Sequence, residues 1–176
     1  MSLQPTYRGY LATSRDEFLV LEACSNGVLK DFDAPLSENE QALIKSGDIF
    51  VYKRGSWRKT WKDRMGSLFW NKCRDEHGSK FYIQLGDLSI PEADRLIKKT
   101  TPAMIGSCQY NIISYYTPDT STLPTPSNDP VLQHLKPQPE TLVDRRSYRA
   151  ETGGGVCPVL PILYRDVTDN TRTETF

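Results

Sequence analysis

Eight basic residues and three tryptophans share the stretch 53–74, KRGSWRKTWKDRMGSLFWNKCR, and the chemistry such a mixture supports is recognition of a polyanion. Lys53, Arg54, Arg58, Lys59, Lys62, Arg64, Lys72 and Arg74 stand against a single acid, Asp63, so the stretch carries a net +7. The whole chain is formally neutral, which leaves −7 for the remainder, a polarity that average composition hides. Lysine neutralises a phosphate as a point charge. Arginine also presents a planar fork that matches paired acceptors on a base edge and is drawn into narrow, A/T-rich grooves. Arg54, Arg58, Lys59, Lys62 and Arg64 are therefore the candidate contacts, with Thr60, Trp61 and Lys72 beside them. Tryptophans in such a loop either stack on bases or brace the loop, and the paired bases of a duplex offer no open face. Trp57, Trp61 and Trp70 accordingly read more as braces than as stackers. Asp63 would repel a phosphate, so its expected role is to order the loop, with acceptance from a cytosine amino group as the alternative. The plainer reading of the stretch is a solvated basic loop whose tryptophans belong to a core.

Other chemistry finds little support. His77 and His134 are the only histidines, and neither has a plausible nucleophile or metal partner in the sequence. Cys24, Cys73, Cys108 and Cys157 lie far apart with no CxxC pair, which argues against a zinc cluster and a disulfide framework and for reduced thiols. No enzyme activity, cofactor, metal or small-molecule substrate is expected. No apolar run approaches the length of a membrane span, and MSLQPTYRGY lacks the apolar core of a secretory signal, so an intracellular protein without a membrane partner is expected.

Glycines 55 and 66, with Ser56 and Thr60, break any helical or strand period in the basic stretch, which reads as a long loop between strands. Before it, 6–13 (TYRGYLAT) alternates as a half-buried strand does, and Ser14 with Glu17 forms a capping box that opens a helix over about 14–25, stopped at Asn26-Gly27. A second capping box, Ser37 with Glu40, opens a shorter helix whose Leu43 and Ile44 face the core. A strand over 48–52 follows. Beyond the loop, 80–85 is a strand joined through the turn 76–79 to another near 66–70. Residues 91–99 read as a short helix, with a strand at 96–101 as the rival. The segment 101–116 is a hairpin about Gly106-Ser107. After Thr117 the chain turns proline-rich, and Asp129-Pro130 starts a turn or two that dock Val131, Leu132 and Leu135. Further on, 153–155 is a glycine joint, 159–163 a possible edge strand, and the last ten residues frayed ends.

Several of these blocks resemble the WOPR domain of fungal regulators of morphology. The first part of that family's box is similar to TYRGYLATSRDEFLVLEACSNGVL (6–29) and LSENEQALIKSGDIFVY (36–52), with an aromatic-glycine-aromatic strand, a Leu-Glu-Ala-Cys helix and a Ser-Gly before an aromatic strand. The second part is similar to LIKKT (96–100), NIISYYT (111–117) and LPTPSNDPVLQHLKP (123–137). The resemblance implies one DNA-binding unit over about 5–139, built of blocks at about 5–85 and 90–139; it leaves the tail at 140–176 unexplained, which by composition is expected to be partly flexible with an edge strand packing back. It also implies sequence-specific duplex DNA binding by a nuclear transcription regulator. Lys98 and Lys99, in the second block, read as a further phosphate contact or as a surface pair with no role, and Arg8, beside Gly9, is a lesser candidate. The family's basic-Trp-Thr-Asp-Gly motif falls on 58–64, where Lys62 stands in the place of threonine and Arg64 in that of glycine.

The resulting expectation is an α+β fold, a mixed and mainly antiparallel sheet with a few short helices, that binds an A/T-rich duplex through 53–74. Two other classes fit the same loop: a module that docks an acidic peptide along a tyrosine-rich strand, and a binder of single-stranded RNA.

Overall fold

The computed structural model describes residues 3–54, 61, 63, 69–85, 89–136 and 141–142. Six strands and two helices precede the tail in chain order: β1 (Tyr7–Arg8), α1 (Ser14–Ser25), α2 (Glu38–Gln41), β2 (Asp48–Lys53), β3 (Phe69–Glu76), β4 (Ser79–Leu85), β5 (Ile97–Ile105) and β6 (Cys108–Tyr116). They form an antiparallel sheet in the order β1-β2-β6-β5-β4-β3. The dipeptide β7 (Thr141–Leu142) adds to β5 at Ile105 and Met104. The expected α+β fold with a mainly antiparallel sheet and short helices is the one observed.

Local chemistry accounts for most boundaries. Helix α1 covers the expected residues 14–25, but its cap is Thr13 and not Ser14. Thr13 Oγ1 accepts from Asp16 N at 3.3 Å, and Asp16 Oδ2 accepts from Thr13 N at 2.8 Å. The shift releases Glu17 from the cap and turns it into the interior, where it is 2% exposed. Ser37 and Glu40 form the second box as expected, although α2 lasts only four residues. Of the two residues expected to face the core after it, Ile44 is buried and Leu43 is 45% exposed. Between 91 and 105 the strand prevails over the helix. Only Glu92–Asp94 makes a 3-10 turn, and Ile97 onward pairs with both β4 and β6.

The hairpin turns follow their glycines. His77 and Gly78 both take positive φ, at 47° and 80°, which is what a two-residue turn of mirror type needs between β3 and β4. In the β5–β6 turn Gly106 alone has positive φ.

The central strands are covered on both faces, so their apolar residues run nearly without interruption. On one face Ile49, Val51 and Ile112 meet Val20 and Leu21 of α1. On the other, Phe50, Ile113 and Tyr115 gather Leu3, Leu36, Ile44 and Leu96, with Phe32, Tyr52, Trp61 and Trp70 at the margin. Trp61 and Trp70 of the basic stretch both pack on that second face.

The proline-rich strap 117–136 locks the first half of the chain to the second. Tyr10 N donates to Pro124 O at 2.8 Å, and a Cβ on Gly9 would stand 2.2 Å from the same oxygen, so only glycine fits there. Asp16 Oδ1 accepts from Ser127 N at 2.9 Å and Ser127 Oγ at 2.6 Å. Asp129 accepts from Tyr7 through one oxygen and caps Val131 and Leu132 through the other. Leu132 docks at 2% exposed, whereas Val131, expected beside it, is 62% exposed.

Candidate nucleic-acid interface

The basic stretch leaves the sheet at the end of β2, where Arg54 N donates to Gln109 O at 2.7 Å, and returns at β3. Between these points the structure describes Trp61 and Asp63, and both are fixed to the sheet. Trp61 stacks on Tyr52 at 5.4 Å and 9°, leans on Phe50 at 5.2 Å and meets Phe32 edge-on at 6.2 Å. Its Nε1 donates to the Tyr115 hydroxyl at 2.9 Å. Such a ring has aromatic neighbours on its stacked face and along its edge, and its one polar atom is satisfied.

Asp63 is 2% exposed. Its Oδ2 accepts from Lys98 Nζ at 2.8 Å and from the Tyr115 hydroxyl at 2.7 Å, while its carbonyl accepts from Trp70 Nε1 at 3.2 Å. A buried carboxylate is tolerable only when its charge is balanced and its lone pairs are filled, and β5 and β6 supply both. Lys98 Nζ also sits 4.7 Å from the ring centroids of Trp70 and Tyr82, a cation–π cage about an ammonium that water scarcely reaches. Burial, and after it the Asp63 carboxylate, hold the Tyr115 phenol well above its ordinary pKa, so it remains a donor at any physiological pH.

Lys98 and Lys99, expected as a second phosphate contact, are turned inward. Neighbours on a strand point to opposite faces, and here both faces are covered. Lys98 turns to Asp63, with 12% of its side chain exposed; Lys99 turns to Glu17 beneath α1, Nζ to Oε1 2.7 Å, with 7% exposed. Glu17 also accepts from Thr101 Oγ1, which bonds Ser79. These two ammonium groups balance interior carboxylates.

The remaining candidates divide. Arg54 is exposed at the mouth of the stretch. Lys72 is solvent-facing and pairs with Asp75 at 2.7 Å. Arg8 donates to Leu3 O at 2.9 Å and lies 3.7 Å from buried Asp48. Arg58, Lys59, Thr60, Lys62, Arg64 and Trp57 lie outside the described residues, as does the possible edge strand at 159–163. Sequence reasoning passed over Tyr115 and Tyr52, and read Glu17 only as a capping residue. The signal was present for Tyr115, a polar-tipped residue just beyond the apolar Ile112-Ile113 pair of β6, and for Asp63, the one acid in a basic stretch. Among the described residues no group of His, Cys, Asp and Glu is placed to hold a metal ion, and no helix is long and apolar enough to cross a membrane.

Comparison with known proteins bears on the same region. Residues 6–85 match the model of the Gti1/Pac2 family. Over 76 residues the chain is 41% identical to the global transcription regulator sge1 of Gibberella fujikuroi, which covers 42% of this chain and 22% of that protein. Over 59 residues it is 36% identical to the cAMP-independent regulatory protein pac2 of Schizosaccharomyces pombe, covering 33% of this chain and 25% of that one. The matched stretch thus spans about a quarter of the length of either regulator. Among solved structures, the WOPR domain of Wor1 from Candida albicans, in complex with a 13bp double-stranded DNA, superposes with a TM-score of 0.64 at 28% identity, over 79% of this chain and 94% of that one.

Proposed function

The chain belongs to the Gti1/Pac2 (WOPR) family of fungal transcription regulators, a family of regulators and not of enzymes, and on that footing we propose that it binds double-stranded DNA as part of a nuclear transcription regulator. The observation that carries this reading is the seating of Asp63, the one acid of the basic stretch: Lys98 and Tyr115 hold it in the sheet, so every charge the stretch has left is positive. Arg54, Arg58, Lys59, Lys62 and Arg64 neutralise phosphates in this proposal, and at least one arginine reads a groove. Arg58 is favoured because it stands on the basic side of Trp61 that matches the family motif. A narrow A/T-rich minor groove is the preferred target, since its potential attracts a guanidinium.

Trp61 supports a duplex over a single strand as the ligand, because Tyr52 already occupies a face of its ring. Selection of preferred duplexes from a random pool, followed by comparison of the winner with its scrambled and single-stranded forms, tests the proposal. Enrichment of one duplex motif that outcompetes both controls is the expected result. Stronger binding to single-stranded RNA, or binding to acidic peptides with no duplex enrichment, would overturn it.

A further inference from the structure

We propose that Lys98 and Tyr115, which lie outside the matched family segment, are positioning residues for DNA binding: they hold Asp63, and through it fix the basic stretch in the form that meets the duplex. The inference rests on the function proposed above and adds to it the part of the fold on which that function depends. Three observations converge on it. Asp63 receives a side-chain bond from each of β5 and β6 and a third bond, to its carbonyl, from Trp70 of β3. Tyr115 is fully buried and joins Trp61 to Asp63, since its hydroxyl accepts from Trp61 and donates to Asp63. Lys98 is sheathed by Trp70 and Tyr82 and turned away from solvent, so its charge serves Asp63 and not an external anion. One carboxylate thus closes a loop whose remaining charges are all positive and repel one another.

Position and charge make different predictions for salt dependence. Log affinity falls with log salt by about 0.9 per phosphate neutralised, so a residue that touches phosphate flattens the slope when removed. A positioning residue weakens binding and leaves the slope alone.

The experiment compares the intact chain with Tyr115→Phe, Lys98→Met and the double variant Asp63→Asn/Lys98→Met, on the duplex selected for the wild type. Tyr115→Phe removes one oxygen and keeps the ring; the double variant removes both buried charges together, so that a lone Asp63 carboxylate cannot by itself unfold the domain. Each is to lose affinity by about tenfold, the order expected for a lost charge-assisted bond, at an unchanged salt slope. Hydrogen exchange over 55–68 is to accelerate in each while protection of β2 and β6 persists. A slope flatter by about one unit in Lys98→Met would make Lys98 a direct phosphate ligand and overturn the proposal. Unchanged affinity and exchange in Tyr115→Phe would overturn it as well. Should the wild type show no salt-dependent duplex binding, the proposed function fails, and the exchange measurement then decides the anchor by itself.

Discussion

Trp61 illustrates how one side chain can serve packing and polarity at once. Its stack on Tyr52 and its contact with Phe50 are apolar, and its Nε1 bond to Tyr115 ties that packing to the Asp63 anchor. Trp61→Phe keeps a ring in place and loses one hydrogen bond, about 1 kcal/mol, whereas Trp61→Ala removes the brace and costs about 3 kcal/mol. Urea unfolding should separate the two variants, and duplex affinity should follow the same order with most of it retained in Trp61→Phe. Tyr7 allows a test with pH. Its hydroxyl donates to Asp129, and burial, followed by that carboxylate, pushes its pKa from 10.0 to about 12. The fold therefore favours the protonated phenol: the contribution is fully present below pH 10 and is lost as pH rises toward 12. Tyr7→Phe should cost about 1 kcal/mol at neutral pH, the usual worth of such a bond. Unfolding free energies measured across that alkaline window should converge for wild type and variant.

At the scale of elements, the strap 117–136 holds the first half of the chain by contacts that have no slack. Gly9 is the tightest of these, because a Cβ there would occupy the space of the Pro124 carbonyl, an atom of the backbone that a side-chain rotation cannot move. Gly9→Ala is expected to lower stability by roughly 2–4 kcal/mol, with the melting temperature falling by several degrees or more. A neutral effect would mean that the strap is free to lift. Strands and turns in this molecule were legible because each carries a local signature: an apolar run in 48–52, a β-rich run in 80–85, glycine at 78 and 106, capping side chains at 37 and 40. What could not be read was any choice settled by a distant partner. Glu17 fits a capping box on paper, yet Asp16 takes the cap and Glu17 meets Lys99, a partner 82 residues away. Residues 96–99 carry two lysines that suggest a surface, and only the coverage of both faces of β5 sends them inward. Asp63 was legible as an anomaly, one acid among cations, and its partners were not, because nothing local to it names Lys98 or Tyr115.

Across the whole molecule the decisive property is the separation of charge. A segment of net +7 within a neutral chain leaves −7 for the remainder, and in the proposed function that asymmetry orients an approaching duplex before contact. Lys98 and Lys99 sharpen that separation by their burial, since each cancels an interior carboxylate and neither adds to the field outside. In the proposed function the cations that face DNA are those of the loop itself. If about five of them reach phosphates, log affinity should fall against log salt with a slope of roughly −4 to −5. Replacing Lys59 and Lys62 by alanine should flatten that slope by about two units, because each removes one phosphate contact. Titration of the selected duplex at four or five salt concentrations measures both quantities. A wild-type slope near zero would remove the phosphate model altogether. A steep slope that the double replacement leaves intact would instead move the contacts to other cations of the stretch, with Arg54, Arg58 and Arg64 the next to be changed.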